Sequence, residues 1–233
     1  MPRKPRPGGL DELAGAALAV FARSGFRQAQ MVDVAREMGA ALGTIYSYVE
    51  SKEALFGLVV DRFLLGGADT EVALPVPTPD AEDLLGRTER RLADLMALPI
   101  LHDALGRRRS RDPRHELASV LEELWELISR TRLAADMVER SARDWPELSL
   151  LFYEKARRNL FDRLSEYVGM RSQSGQFRTF ANPGLIARTA LETITFWARH
   201  RYGDPDGFAV TDADARQTVL AFLVDSIVKG DPK

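Results

Sequence analysis

Apolar residues recur along this chain three and four positions apart, while runs of strict two-residue alternation bounded by turn residues are missing. That pattern predicts an all-α protein. A first helix is expected over about Leu10–Ser24, with Leu13, Ala17, Val20 and Phe21 on one stripe and Gly25 as its stop. Two shorter helices should follow, one over about Gln30–Met38 ended by Gly39 and one over about Ala41–Val49. Ser51 then stands as N-cap of a helix running to about Leu65. The segment 72–80, VALPVPTPD, has three prolines in nine positions and reads as a linker, because proline removes the amide and blocks the preceding turn of a helix. Beyond it, helices are expected at about Ala81–Leu98, Leu101–Arg107, His115–Arg143, Pro146–Met170, Pro183–Arg201 and Asp212–Lys229.

Two short helices around Gly39, preceded by one long helix and followed by another, make the order of a helix-turn-helix. On a helical wheel Ile45 and Val49 fall about 40° apart and can face a core, which turns Gly43 and Ser47 the opposite way. A face of glycine and serine lets backbone approach a groove closely. Thr44 and Tyr46 flank it with hydroxyls suited to phosphates or base edges, and Lys52 adds a charge at the next helix start.

Composition narrows the field. Lys and Arg number 32 against 34 Asp and Glu, a net charge of −2, which argues against a protein that coats nucleic acid or membrane indiscriminately. Residues 1–52 are opposite in sign, with seven basic against five acidic side chains. The Pro/Gly-rich residues 1–9 form a basic arm carrying Arg3, Lys4 and Arg6, read either as a minor-groove strand or as a soluble tail. Cysteine is absent, so disulfides, Cys-ligated metals and thiol nucleophiles are excluded. His102, His115 and His200 lie far apart, and no metal-ligand spacing, nucleophile elbow or phosphate loop appears. No catalytic residue, metal or cofactor is therefore expected. The basic start before LAGAALAVFA mimics a secretory signal, but Asp11 and Glu12 interrupt it, and no apolar stretch reaches the length of a membrane span. A cytoplasmic protein without membrane partners is expected. The densest charge cluster, GRRRSRDPRH at 106–115, reads as a solvated inter-helix loop, with a second nucleic-acid or membrane contact as the other reading.

Over Leu13–Phe56 the sequence resembles the TetR family of transcriptional regulators, through Ala17, Phe21, Gly25, Phe26, Val34, Ala35, Gly39, Gly43, Thr44, Ile45, Tyr46, Ser51, Lys52 and Leu55. Departures are Ala29-Gln30 where the family commonly opens its second helix with Thr and Ser or Thr, Ala40-Ala41 where it has Val-Ser, and Val49 for the usual Phe. The resemblance implies an arm (1–9), a three-helix DNA-binding domain (10–56) and a helical bundle for effector binding and dimerisation (57–233). It also implies phosphate contacts from Tyr46, Tyr48 and Lys52, and base-edge contacts from Leu42, Gly43, Thr44 and Ser47. None of these groove-side residues is Arg, Asn or Gln, so readout is expected to lean on methyl contacts, Gln30, DNA shape and the arm.

Trp125, Asp136, Met137, Phe152, Tyr153, Phe196 and Trp197 lie on the central and late helices, where family members enclose a small-molecule effector. Ala187, Ala190, Leu191, Ile194 and Ala198 share one helical stripe, and Leu220, Leu223, Val224 and Ile227 another. These stripes either close the core of one chain or form a four-helix interface between two copies; the resemblance favours the second. The expected function is a homodimeric repressor that binds a palindromic operator in double-stranded DNA and is released by a small molecule. The alternative is an all-α small-molecule binding protein or enzyme that retains a helix-turn-helix.

Overall fold

The computed structural model describes residues 8–64, 72–206 and 209–230, and among them the regular structure is helical. Arg3, Lys4 and Arg6 lie outside the described residues. The described chain divides into two compact units, one from residues up to Met96 together with Leu133–Ala156, the other from Ala97–Arg132 and Arg157 onward.

The first unit begins with α1 (Gly9–Gln28), which has Asp11 and Glu12 in its positive first turn and buries Leu13, Ala17, Val20 and Phe21. Gly25 breaks it at φ 72°, ψ 168°, after which one more turn runs to Gln28. A side chain is doubly excluded at Gly25, since a Cβ there would stand 3.2 Å from the Arg140 carbonyl oxygen. Helix α2 (Met31–Met38) starts at Gln30 and ends at Gly39, whose φ of 67° is the left-handed cap that glycine adopts without a Cβ clash.

Helix α3 (Leu42–Ile45) is a single turn, much shorter than the expected Ala41–Val49. The cause is local. The Ser47 hydroxyl donates to the Thr44 carbonyl at 2.6 Å, and the Ser47 and Tyr48 amides bond three residues back, to Thr44 and Ile45, so the chain tightens instead of propagating. Ser51 then caps α4 (Lys52–Phe63), its hydroxyl accepting from the Ala54 amide at 3.1 Å. The proline-rich segment is held in place rather than loose. The Val76 amide donates to the Tyr48 carbonyl at 2.8 Å, the Glu50 amide to the Val76 carbonyl at 3.0 Å, and the Thr78 hydroxyl to Ser51 Oγ at 2.9 Å. Asp80 caps α5 (Ala81–Leu95), as its side chain accepts from the Asp83 amide.

The same unit contains α8 (Arg132–Ala142), after α6 (Pro99–Leu105) and α7 (Pro113–Arg130) of the other, then α9 (Pro146–Ser149) and a π-helical stretch at Leu150–Arg157. Phe21, Phe26, Phe56 and Trp145 pack ring on ring, with centroids 5.0 to 6.0 Å apart. Such pairs contribute about 0.5–1.5 kcal/mol each beyond area burial. The buried Ser141 hydroxyl accepts from the Phe26 amide at 3.0 Å, meeting a donor that the break at Gly25 leaves free.

In the second unit α6 is capped by Glu123, whose carboxylate accepts from the Ile100 and Leu101 amides at 2.9 and 3.0 Å. The single helix expected over His115–Arg143 is two. Helix α7 ends at Thr131, where φ −98° and ψ 10° leave the helical region while its amide and hydroxyl both donate to the Leu127 carbonyl. Helices α10 (Arg158–Gln173), α11 (Pro183–Ala198) and α12 (Asp212–Ile227) complete the unit around Leu121, Leu124, Leu164, Tyr167, Ile194 and Leu223.

Candidate functional site

The helix-turn-helix presents its outward residues much as the wheel indicates. Leu42 is 41% and Tyr46 46% exposed, Gln30 and Gly43 are exposed, and Thr44 and Ser47 are half-buried, while Ile45 and Val49 are in the core. Leu42 and Tyr46 are one turn apart, as are Gly43 and Ser47, so α3 and its following turn offer one face of small and hydroxyl-bearing side chains with Leu42 at its start.

One expected phosphate contact lies in the core, and another is partly engaged by the chain itself. Tyr48 is 2% exposed, and its carbonyl receives the Val76 amide; as a core residue it is withdrawn from the DNA-facing set. Tyr48 stands three residues after Ile45 and one before Val49, on the side of the chain that those two core residues share. Lys52 is half-buried, and its ammonium donates to the carbonyls of Arg27 at 3.2 Å and Ala29 at 3.1 Å while lying 4.7 Å from the Phe26 ring centroid. It ties the α1–α2 turn to the start of α4. That tie fixes Arg27, Gln28 and Gln30 on the exposed side of the turn.

Arg27 is the cation that sequence reasoning overlooked. Arg23 is bound to Glu37 at 2.5 Å and Arg36 to Asp33 at 2.8 Å, whereas the guanidinium of Arg27 has no side-chain partner among the described residues. Its sequence signal was weak, a single arginine after a glycine break, and only the Lys52 contact shows where it is held.

The residues expected at an effector site fall in both units. Asp136, Met137, Phe152 and Tyr153 belong to the first, where Met137 is fully buried and Phe152 stacks edge-on against Tyr153 with centroids 5.0 Å apart. Trp125, Phe196 and Trp197 belong to the second. Trp125 is core, whereas Phe196 is 37% exposed and stands on the outer surface of α11.

The two apolar stripes expected at a dimer interface are buried within the single chain. Ala187, Ala190, Leu191, Ile194 and Ala198 on α11, and Leu220, Leu223, Val224 and Ile227 on α12, are all core. A side chain already enclosed by its own chain has no surface to give a second copy. Apolar side chains are exposed on the opposite faces of the same helices, Leu185 at 62% and Phe196 at 37% on α11 and Phe222 at 64% on α12. A lone Phe among Thr218, Ala221 and Asp225 was the available signal.

Residues 13–59 match the family model for "Bacterial regulatory proteins, tetR family". No curated protein matches the chain. Among solved structures, the chain resembles the ketosteroid transcriptional regulator KstR2 of Mycobacterium tuberculosis, with 18% identity, a TM-score of 0.58, and 99% of this chain and 100% of that one covered. It resembles a protein from Saccharomonospora viridis assigned as a transcriptional regulator and bound to choline, at 16% identity and a TM-score of 0.55 over 97% and 100%. It also resembles a Mesorhizobium loti protein assigned to the TetR family, at 16% identity and 0.52 over 97% and 100%. At these identities the likeness is one of fold. No helix among the described residues is long and apolar enough to cross a membrane.

Proposed function

We propose, from the TetR-family DNA-binding domain that residues 13–59 form, that the protein is a cytoplasmic homodimeric transcriptional repressor released from its operator by a small molecule. The observation that carries this reading is the outward face of α3 and its turn. Gly43, Leu42 and Tyr46 are exposed on a short helix held rigidly between a glycine cap and a capped α4. Tyr46, Arg27 and the arm residues Arg3, Lys4 and Arg6 contact phosphates or the minor groove, and Gln30, Leu42, Gly43, Thr44 and Ser47 meet base edges. Leu42 reads thymine methyls, and bidentate recognition has no part in α3.

Dimerisation uses the outer faces of α11 and α12, through Leu185, Phe196 and Phe222, in place of the buried stripes. A two-fold dimer of helix-turn-helix proteins places its recognition helices about 34–36 Å apart, so the operator is palindromic. The choline held by the Saccharomonospora viridis protein supports a small-molecule effector here, the candidate contacts being Asp136, Met137, Phe152 and Tyr153 within the first unit, or Trp125 and Trp197 within the second. Effector and DNA then oppose one another with a coupling of about 1–3 kcal/mol.

The test is fluorescence anisotropy of the full chain on duplexes from upstream of its own gene. Saturable, sequence-preferring binding at a two-fold symmetric site is expected, weakened in Tyr46→Phe. Equal affinity for that duplex and for scrambled DNA at physiological salt would overturn the reading.

A further inference from the structure

The connection between α6 and α7 is more firmly built than a solvated loop requires. Residues 106–112 carry Arg107, Arg108, Arg109 and Arg111, and charges that only meet water need no internal scaffold. Here the backbone is anchored from below. Arg171 of α10 is completely buried, and it donates Nη1 to the Arg107 carbonyl at 2.8 Å, Nη2 to the Ala104 carbonyl at 2.7 Å and Nε to Glu116 at 2.7 Å. A guanidinium taken fully out of water is tolerated only when its donors are met in this way. The Tyr167 hydroxyl also donates to Glu116, at 3.2 Å. Burial and the adjacent carboxylate hold that phenol well above its ordinary range, so it stays a donor. Gln176, itself buried, clamps Ser110 from both sides, its Oε1 accepting from the Ser110 amide and its Nε2 donating to the Ser110 carbonyl. Arg109 donates to the Ser174 carbonyl at 2.8 Å.

Above this scaffold lies a cleft of about 640 Å³. Ile100 and Ala104 form an apolar wall, and Arg107, Arg109, Arg111 and His115 the polar one. Its carboxylates are already engaged. Glu116 serves Arg171 and Tyr167, Asp112 accepts from the Arg114 and His115 amides at the start of α7, and Asp103 lies 3.9 Å from Arg107. The Arg111 guanidinium and the His115 ring have no side-chain partner among the described residues.

The geometry points to a ligand site in this cleft for a phosphate group carried by a small organic molecule. Guanidinium forks match phosphate oxygens in pairs, and a fixed loop backbone presents them without a large ordering cost on binding. The apolar wall at Ile100 takes the organic body, and the volume lies within the roughly 300–1,000 Å³ of small-molecule sites. This inference goes beyond the DNA-binding reading and does not depend on it.

The experiment is isothermal titration of the full chain with pyrophosphate and, separately, with ADP at constant ionic strength. Saturable binding of one molecule per chain is expected. Arg111→Ala and Arg111→Gln should each weaken it about tenfold or more, as loss of one charge-assisted pair would. Arg90→Ala, which removes an exposed arginine of α5 outside the cleft, should leave it unchanged. ADP binding tighter than pyrophosphate supports an organic body on the Ile100 wall, and pyrophosphate binding as tightly as ADP or tighter would overturn that part of the proposal. No saturable binding of either probe, or equal losses in the Arg90 and Arg111 variants, would overturn the proposal.

Discussion

Aromatic side chains are used differently in the two units. Around the helix-turn-helix, Phe21, Phe26, Phe56 and Trp145 turn toward one another and close the core. On α11 and α12, Phe196 and Phe222 turn outward although eleven apolar residues on the same helices are buried. The first unit closes its phenylalanines into a core while exposing Leu42 and Tyr46 on the helix-turn-helix face and Leu133 and Leu150 elsewhere. The second leaves its phenylalanines Phe196 and Phe222 at the surface of α11 and α12, and exposed apolar side chains of that size are where proteins associate.

The contrast breaks most sharply at two adjacent positions. Leu223→Arg places an unpaired charge in the core and should unfold the chain, a loss above about 4 kcal/mol visible by thermal melting. Phe222→Arg should leave melting of the isolated chain within about 0.5 kcal/mol and yield monomers in sedimentation, with operator binding lost. A Phe222→Arg protein that still sediments as a dimer would refute the proposed interface. Trp145→Ala should cost roughly 2–3 kcal/mol of stability, since it opens the ring cluster beneath α1 and α4, and an unchanged melting temperature would show that the cluster closes without it.

Lys52→Ala should cost about 1–2 kcal/mol by releasing two carbonyls and a ring contact. Tyr46→Phe should leave stability unaltered while lowering DNA affinity several-fold. Equal stability in both variants would return Lys52 to the surface. The smallest effect is expected at Thr78→Val, about 0.5–1 kcal/mol, read as faster hydrogen exchange at the Val76 amide when the Thr78–Ser51 bond is lost.

Periodicity shows which residues a helix buries, but not what buries them. The stripes on α11 and α12 were legible to the residue, and the same pattern serves a monomer core or an interface equally well. The break of α1 at Gly25, the end of α2 at Gly39 and the start of α4 at Ser51 were legible because glycine and serine act there through local geometry, whereas the further turn of α1 to Gln28 was not. The length of α3 was not, since one hydroxyl, that of Ser47, competes for a carbonyl the helix would need. Prolines argued correctly against helix at 72–80 yet said nothing about docking, which runs through the backbone of Val76 between two of them. Trp145 and Ser141 had no local signal at all, because their partners Phe26 and Phe56 stand far back in the chain.

The engagement of Lys52 with the Arg27 and Ala29 carbonyls has a consequence that can be stated in counterions. Duplex DNA carries a condensed cation atmosphere, and each phosphate met by a mobile lysine or arginine releases part of it, steepening the salt dependence by roughly 0.9 per phosphate. A lysine tethered by carbonyl dipoles is less free to follow a phosphate. In the DNA complex proposed above, release is then expected to fall mainly to Arg27 and the arm, so that the salt slope would report on those cations more than on the start of α4.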